Sequence, residues 1–326
     1  MHVTPDLSAL FPSVQPDPLP ATALAHIVGE RILAVHGADA TRFLQGQLTC
    51  DVAALPPGES TLGARCNPKG RMQSSFRLLK RSEDQYLLAL PSELLEAQQQ
   101  DLTKYAVFFK VKLEDVSQYW VRLGLWGVQA EAALSATALN AATDDGLSIT
   151  VGDNTHELWL PTSQANTVTA ALSAHATPVP AASWTLQMIR LGIGQVREET
   201  RERFIPQMLN LQHLDGVSFR KGCYTGQEIV ARMQYLGKLK RRMYRLSWDA
   251  EQLPLPGTSI DDSQTGQSVG EVVMAARAGS HVEMLAVLQT DAAESPTLIV
   301  NNIKEPSLQL TALPYDQQMA AQPAAE

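Results

Sequence analysis

The sequence predicts an α+β protein made of two ferredoxin-like subdomains followed by a C-terminal β-barrel. Three observations lead to this fold class. A weak internal repeat has the order strand, helix, strand, strand, helix in each copy. Each copy also contains a short apolar strand that stops at a proline before a helix, in LALPSELLEAQQQDL and LWLPTSQANTVTAAL. After about residue 240, short β-type runs alternate with turns rich in Gly, Pro and Asp.

The first copy of the repeat begins with a strand and a helix and continues into a hairpin. The hairpin turn, NPKG at 67–70, has Pro in its second position and Gly in its fourth, as type I turns prefer. The predicted elements of this copy are a strand at 31–35, a helix at 39–48 with Asp39 as its N-cap, strands at 61–66, 72–79 and 86–90, and a helix after residue 92.

The second copy repeats this order with two strands instead of three between its helices, and one further helix follows it. Its predicted elements are a strand at 120–125, a helix at 129–139, strands at 148–151 and 157–160, and a helix after residue 163. Trp184 begins the further helix, after which the chain is irregular up to about residue 220. The predicted β-type runs of the barrel lie at 242–246, 269–274, 284–288 and 297–300.

These elements divide the chain into five parts. The first part, 1–22, has five prolines within its first twenty residues and is expected to be an extended arm. The next parts are the first ferredoxin-like subdomain at 23–115, the second at 116–239, the barrel at 240–316 and a disordered tail at 317–326. The interface between two packed subdomains is a natural place for a ligand cavity.

Composition and motifs exclude several classes of protein. The net charge of −8 argues against nonspecific binding of DNA or RNA by the whole surface, although residues 220–245 alone carry +7. The three cysteines, at 50, 66 and 223, do not make a disulfide framework, and no metal-binding or nucleotide-binding motif is found. No apolar run reaches the length of a membrane span, and we expect no secretory signal. A reducing cytoplasm is the expected location.

Residues 221–228, KGCYTGQE, are the most informative segment of the chain. They place a cysteine just before a predicted helix whose apolar residues recur at helical spacing. Thr225 and Glu228 have the spacing of a capping box, which makes Thr225 the predicted N-cap. The helix dipole and the neighbouring basic side chains both favour a thiolate at Cys223. The motif residues are Lys221, Gly222, Cys223, Tyr224, Thr225, Gly226, Gln227 and Glu228.

Each candidate also has a purely structural interpretation. A free cysteine often packs as a small apolar side chain, but the predicted helix and the bases beside Cys223 favour a functional thiol. An aromatic residue that begins an amphipathic helix, such as Trp184, is usually core, although a flat heteroaromatic ligand can stack on it. The basic run at 238–245 is typical of a solvated face and contains one aromatic residue, Tyr244, so its RNA-binding signal is weak.

The motif resembles the signature of the YgfZ/GcvT family, folate-binding proteins related to the glycine-cleavage T-protein. FIPQ and NLQ precede it, and three N-terminal strings, FLQGQLTCDV, RCNPKGRM and KYAVFFKV, also match the family pattern. The resemblance runs from about residue 28 to residue 315. It implies a GcvT-like fold around a central hole, a bound tetrahydrofolate or folate derivative, and support of iron–sulfur enzymes, including those that thiolate tRNA.

The resemblance also implies individual site residues. Two tryptophans are associated with folate in the family; one corresponds to Trp184, and the other falls at Glu30, where this chain departs from the pattern. A carboxylate at that position cannot stack on a pterin ring but can accept hydrogen bonds from its edge. A redox or cluster-handling thiol is expected at Cys223 with Lys221 as its activator, and no metal ligands are expected.

Two other functions stay open. The T-protein uses an aspartate on the strand after the NPKG turn, where this chain has Ser74 and Ser75. A serine lacks the fixed negative charge that stabilises an iminium-like centre, and the T-protein has no cysteine at the position of Cys223. Folate-dependent aminomethyl transfer is therefore a disfavoured enzymatic alternative. The other alternative is an RNA-binding accessory protein that contacts tRNA through the basic run at 238–245.

Overall fold

The computed structural model describes residues 7–137, 146–301, 303 and 308–317. These residues form two five-stranded sheets and one six-stranded sheet. The α+β architecture of two ferredoxin-like subdomains and a C-terminal antiparallel sheet, curled into a half-barrel, confirms the predicted fold class. No helix among the described residues is long and apolar enough to cross a membrane.

The first copy of the repeat forms the first subdomain, preceded by strand β1 (Thr22–His26). Its elements are β2 (Glu30–His36), α1 (Ala40–Gln45), β3 (Ser60–Cys66), β4 (Met72–Ser82), β5 (Gln85–Pro91), α2 (Leu95–Ala106) and β6 (Lys112–Asp115). The strands pair antiparallel in the order β3-β4-β5-β2-β6. Helix α1 begins after Asp39 as predicted but stops before residue 48, because Leu48 makes a β-bridge with Arg65.

The second copy has the same order of elements, except that two strands instead of three lie between its helices. They are β7 (Trp120–Gly127), α3 (Ala130–Ser135), β8 (Leu147–Gly152), β9 (Thr155–Pro161), α4 (Thr162–Ser173) and β10 (Thr177–Val179). The predicted helix at 129–139 is thus shorter, and its last two positions lie outside the described residues. Helix α5 (Ala181–Arg190) follows and carries Trp184.

Strand β1 does not join the first subdomain, where the boundary at 23–115 had placed it. In the first sheet, β6 pairs directly with β2 and covers the edge beside which β1 would lie. β1 lies instead between β7, to which it is antiparallel, and β10, to which it is parallel. The arm at 1–22 is likewise packed in part, since Leu7 is only 1% exposed and lies in the apolar core of the second subdomain.

The segment at 196–236 leaves the second subdomain, to which the boundaries at 116–239 had assigned it, and packs on the first. The backbone amide of Val196 donates to Ser75 Oγ at 2.8 Å, and that of Met72 donates to the Phe204 carbonyl at 2.8 Å. Ser75 and Met72 both lie on β4, so the extended segment satisfies polar backbone groups by hydrogen bonding to that strand.

Helix α6 (Gln227–Leu236) ends this segment and leads into the C-terminal half-barrel. Its strands are β11 (Arg241–Trp248), β12 (Ser259–Asp262), β13 (Ser268–Ala278), β14 (His281–Gln289), β15 (Leu298–Val300) and β16 (Gln309–Thr311), in the antiparallel order β15-β12-β13-β14-β11-β16. Each predicted β-type run falls on one of these strands. The expected tail at 317–326 lies outside the described residues except for its first residue.

Candidate functional site

A cavity of about 170 Å³ lies where the two subdomains and the half-barrel meet. Strand β4 contributes one part of its wall and helix α5 another, and Met274 of β13 closes it from the half-barrel. Both residues that the resemblance associates with folate, Trp184 and Glu30, line this cavity. The structure therefore brings these two candidates together, although they are far apart in sequence.

Trp184 is held in place by the backbone of β7. A Cβ atom added at Gly124 would lie 2.1 Å from Trp184 Cε3, so the indole packs directly against the strand where this side chain is missing. The ring also contacts Trp126, with 5.8 Å between ring centroids. Trp184 is buried and lines the cavity at the same time, so the core interpretation and the ligand-wall interpretation are compatible.

Four charged side chains form a network in the wall of the cavity. Glu157 Oε1 accepts from Arg122 Nε and Glu157 Oε2 from Arg77 Nε, each at 3.0 Å. Arg122 Nη1 donates to Glu30 Oε2, and Gln195 Nε2 donates to Glu30 Oε1 at 2.9 Å. Glu30, Arg77, Arg122 and Glu157 line the cavity together with Gln195 and Arg197.

The network sets the charge states of its members. Burial alone would raise the pKa of Glu30, but the charge of Arg122 and the hydrogen bonds from Arg122 and Gln195 outweigh it and lower the pKa. Burial would likewise lower the pKa of Arg122, but the carboxylates of Glu157 and Glu30 raise it. Glu30 is therefore a half-buried, ionised carboxylate at the cavity.

Arg77 is the network member whose hydrogen-bonding capacity is least used. Its Nε pairs with Glu157, and within the described part of the chain neither of its Nη atoms has a hydrogen-bond partner. Burial lowers the pKa of Arg77 despite the attraction of Glu157. A guanidinium fork with free donors in a cavity matches a ligand that presents oxygen or ring-nitrogen acceptors.

The sequence prediction missed Arg77, Arg122, Glu157 and Gln195. No short motif contains them, but a signal was present for three of them. Arg122 and Glu157 each interrupt an apolar strand, in WVRLGLWG and THELWLP, and Arg77 does so in SSFRLL. Charged side chains are almost never buried unless they are paired, so a charge within an apolar strand indicates either a surface strand or a paired interior site.

The two serines at the T-protein aspartate position have structural partners. Ser74 is fully buried and its Oγ donates to Gln98 Oε1 at 2.9 Å. Ser75 lines the cavity, and its Oγ accepts the hydrogen bond from Val196. No carboxylate stands at either position.

The KGCYTGQE motif lies outside the cavity, and none of its residues lines it. Lys221 is 9% exposed, and its Nζ donates to the carbonyls of Leu48 at 2.7 Å and Cys50 at 2.8 Å. Burial lowers the pKa of Lys221 to about 8. The ammonium group, expected to activate Cys223, is thus bonded to the first subdomain and ties the motif to it.

The predicted capping box is wrong. Helix α6 has Gly226 as its N-cap, with φ of 86°, and no side chain caps it. The backbone amide of Thr225 instead donates to the Gly46 carbonyl at 3.3 Å. A Cβ at Gly226 would lie 2.5 Å from the Asn67 carbonyl oxygen, so contact with the 67–70 turn decides how the helix begins.

The three cysteines differ in exposure. Cys50 and Cys66 are buried, and burial raises the pKa of each thiol to about 12. Cys223 is exposed and free. It is therefore the cysteine that a partner or reagent can reach. Within the described ranges, no group of three or more His, Cys, Asp or Glu residues is placed to hold a metal ion.

Comparisons with known proteins agree with this architecture. A family model described as the GCVT N-terminal domain matches residues 23–148. The fold resembles that of the glycine cleavage system aminomethyltransferase T from Bartonella henselae, with a TM-score of 0.68 and 18% identity, covering 90% of this chain and 86% of that one. At this identity the likeness shows the fold alone.

Relatives of higher identity carry one shared name. The tRNA-modifying protein YgfZ of Aliivibrio fischeri is 33% identical, and the alignment covers 95% of this chain and 98% of that protein. The proteins of the same name from Edwardsiella ictaluri and Klebsiella pneumoniae are 36% and 32% identical over 87% and 94% of this chain, and 90% and 97% of those proteins. With this identity over nearly its whole length, the chain belongs to the family of the tRNA-modifying protein YgfZ.

Proposed function

We propose that the protein binds tetrahydrofolate or a folate derivative in the central cavity and supports iron–sulfur enzymes that modify tRNA. The observation that carries the folate proposal is the composition of the cavity. It offers one buried aromatic wall, Trp184, and one guanidinium with unused donors, Arg77. A pterin has a flat ring and an edge of hydrogen-bonding groups, and it needs both kinds of contact.

The lining of the cavity suits the pterin ring of a folate in three respects. Trp184 supports stacking of a heteroaromatic ring on an indole already fixed by Gly124. Arg77 supplies donors for carbonyl or ring-nitrogen acceptors. Glu30 is ionised, and its oxygens keep lone pairs beyond the bonds from Arg122 and Gln195, so it can accept from an amino or amide edge. Glu30 thereby replaces the stacking wall expected there with a polar one. When bound, the folate supplies a carrier of one-carbon units.

The supporting role is assigned to Cys223, which is separate from the cavity. Its exposure fits a thiol that meets another protein, such as a tRNA-thiolating iron–sulfur enzyme, in a transient complex in the cytoplasm. The relatives bear the name tRNA-modifying protein, which agrees with an effect on tRNA. Aminomethyl transfer is disfavoured because Ser74 and Ser75 supply no fixed negative charge at the cavity.

Isothermal titration calorimetry with tetrahydrofolate under anaerobic, reducing conditions tests the folate proposal. We expect saturable heat with the wild type and an affinity at least about tenfold lower for Trp184→Ala, or about 1.4 kcal/mol. Arg77→Lys keeps the charge but loses the fork, and we expect it to weaken binding as well. Lys104→Ala, an exposed position, is the matched control and should bind as the wild type does. Absence of heat with concentrated wild-type protein would overturn the proposal.

Complementation tests the role of the thiol. Cells that lack the endogenous protein receive wild type, Cys223→Ala or the buried-site control Cys50→Ala, and iron–sulfur-dependent thiolation of tRNA is measured. We expect Cys223→Ala to lose most of the activity although it changes an exposed residue with little effect on folding. Full activity of Cys223→Ala would exclude this thiol from the function.

A further inference from the structure

Helix α6 is held by few contacts and exposes much of its surface. Val230 is its buried residue, whereas Tyr235 is 57% and Leu236 84% exposed. A helix with so little buried surface is unusual, since helices in folded proteins gain most of their stability from packing one face. The exposed face of α6 is therefore available to a partner.

A basic groove of about 720 Å³ lies beside this helix. It runs along the 67–70 turn, which touches α6, because a Cβ at Gly70 would lie 3.0 Å from Ile229 Cβ. The basic side chains that line it are Lys69, Arg71, Arg203 and Arg241. Arg203 pairs with Glu271 at 2.7 Å, and the other three form no ion pair within the described part of the protein.

Helix α6 and the segment that follows it add three more cations. Arg232, Lys238 and Lys240 are exposed, and among the residues described none of them has an ion-pair partner. Together with the groove they form the α6 surface, defined by Lys69, Arg71, Arg203, Arg232, Lys238, Lys240 and Arg241. Three acidic residues, Glu202, Glu228 and Glu271, accompany these seven basic ones, so the surface carries +4 on a chain of net charge −8.

The structure divides the basic run at 238–245 into two groups. Arg245 pairs with Glu283 at 2.7 Å, and the guanidinium of Arg242 lies 4.6 Å from the centroid of the Tyr244 ring. These side chains stabilise the half-barrel. Lys238, Lys240 and Arg241 have no such partners within the described ranges and belong to the α6 surface, which the 67–70 turn completes from a distant part of the sequence.

Aromatic side chains lie on the other side of α6. Phe219 and Tyr235 form an edge-to-face pair with 6.0 Å between ring centroids, and they line a second groove, of about 650 Å³, whose charged lining residues are Arg220, Asp51 and Asp215. An exposed ring on a helix that also carries unpaired cations is a combination that suits single-stranded nucleic acid, in which phosphates meet the cations and bases stack on the rings. An acidic protein would use the cations but would not require the exposed ring.

We propose that the α6 surface binds the phosphate backbone of RNA, with Tyr235 as a stacking platform for an unpaired base. The localised positive charge explains how a protein of net charge −8 can bind a polyanion at one place. Cys223 lies just before α6, so an RNA on this surface would lie beside the exposed thiol. This inference concerns a surface outside the folate cavity and does not depend on folate binding.

Fluorescence anisotropy with unfractionated tRNA, labelled at its 3′ ends, tests the proposal in a salt series from about 50 to 200 mM. We expect the logarithm of the association constant to fall linearly with the logarithm of the salt concentration, with a slope of about −3, which corresponds to about four phosphate contacts. The triple variant Lys69→Ala/Lys238→Ala/Arg241→Ala should bind at least about tenfold more weakly with a slope nearer zero. The matched control, Lys104→Ala/Lys110→Ala/Lys112→Ala, removes three exposed lysines on and before β6, at the opposite edge of the first sheet from β3.

Four outcomes would overturn the proposal. The first is that the wild type does not bind at the lowest salt, and the second is an equal loss of tRNA affinity in both triple variants. The third is that polyglutamate displaces tRNA as effectively as unlabelled tRNA does. The fourth is that Tyr235→Ala binds a labelled oligouridylate with unchanged affinity. The third outcome would assign the α6 surface to an acidic protein, and the last would remove the stacking step. Circular dichroism of each variant verifies that these surface substitutions leave the fold intact.

Discussion

Replacement of Gly226 by alanine tests how the motif is held on the first subdomain. Gly226 has φ of 86°, a region that costs an L residue about 1–2 kcal/mol. The new Cβ would lie 2.5 Å from the Asn67 carbonyl oxygen and 3.0 Å from Cys66 Cβ, and overpacking of this kind costs about 1–3 kcal/mol. Alanine also lowers the conformational entropy of the unfolded chain, which offsets this loss of stability by about 0.4–1 kcal/mol. We therefore expect a loss of about 1–5 kcal/mol in the free energy of unfolding.

Urea unfolding, followed by tryptophan fluorescence, measures this loss, and Gly222→Ala is its matched control. Gly222 belongs to the same motif, but its φ is not in the left-handed region and an added Cβ would meet nothing within 4 Å. We expect the control to change the free energy of unfolding by less than about 0.5 kcal/mol. A Gly226→Ala protein as stable as the wild type, or an equal loss in both variants, would refute the close packing of the motif on the 67–70 turn.

Three further predictions follow from the site. Glu157→Gln leaves two buried guanidinium groups without their shared carboxylate and should lower the free energy of unfolding by about 3–5 kcal/mol in urea; a loss below about 1 kcal/mol would contradict a buried network. Native protein should incorporate one equivalent of iodoacetamide at Cys223 and denatured protein three, as counted by mass spectrometry, with Cys223→Ser incorporating none when native. The folded pKa of Lys221, about 8, is below the unfolded value of roughly 10.4, so the unfolded chain binds more protons between these two pH values. The free energy of unfolding of the wild type, relative to that of Lys221→Met, should therefore rise from pH 8 to 10 by up to about 1.4 kcal/mol per pH unit. A difference that falls over this range would contradict a buried ammonium.

Local patterns predicted most of the elements because they reflect interactions between residues close in sequence. The hairpin turn at 67–70 and the helix after Asp39 are set by such interactions, and both occur where predicted. The repeat of strands and helices was also visible, and with it the place of a cavity between its two copies. Trp184 and Glu30 meet in that cavity, as the resemblance to the family implied.

Other features depend on contacts between distant parts of the chain. The position of β1 depends on which strand pairs with the edge of β2, and the pattern of side chains within β1 does not show whether β1 or β6 takes that place. The cap of α6 depends on space beside Asn67, so the spacing of Thr225 and Glu228 could not decide it. Arg77 and Arg122 lie on β4 and β7, and their partners Glu157 and Glu30 lie on β9 and β2, so only the fold shows that these charges meet in one place.

The central cavity and the KGCYTGQE motif lie against neighbouring parts of one segment, the 67–70 turn and strand β4. Strand β4 follows directly on the 67–70 turn, which contacts α6, and it reaches the cavity at Ser75, five residues beyond Gly70 and roughly 16 Å along an extended chain. Because no residue of the motif lines the cavity, a folate bound there and a partner at Cys223 act on separate surfaces.

This separation predicts that each site can be changed without the other. Trp184→Ala should weaken tetrahydrofolate binding and leave the rate of Cys223 alkylation unchanged, whereas Gly226→Ala should change the alkylation rate and leave binding of tetrahydrofolate unchanged under conditions in which both variants are folded. Titration calorimetry and timed alkylation on the same preparations measure both quantities. If tetrahydrofolate itself altered the alkylation rate in the wild type but not in Trp184→Ala, the two sites would be coupled. The 67–70 turn and β4 would then carry the coupling, because the turn contacts α6 and β4 lines the cavity.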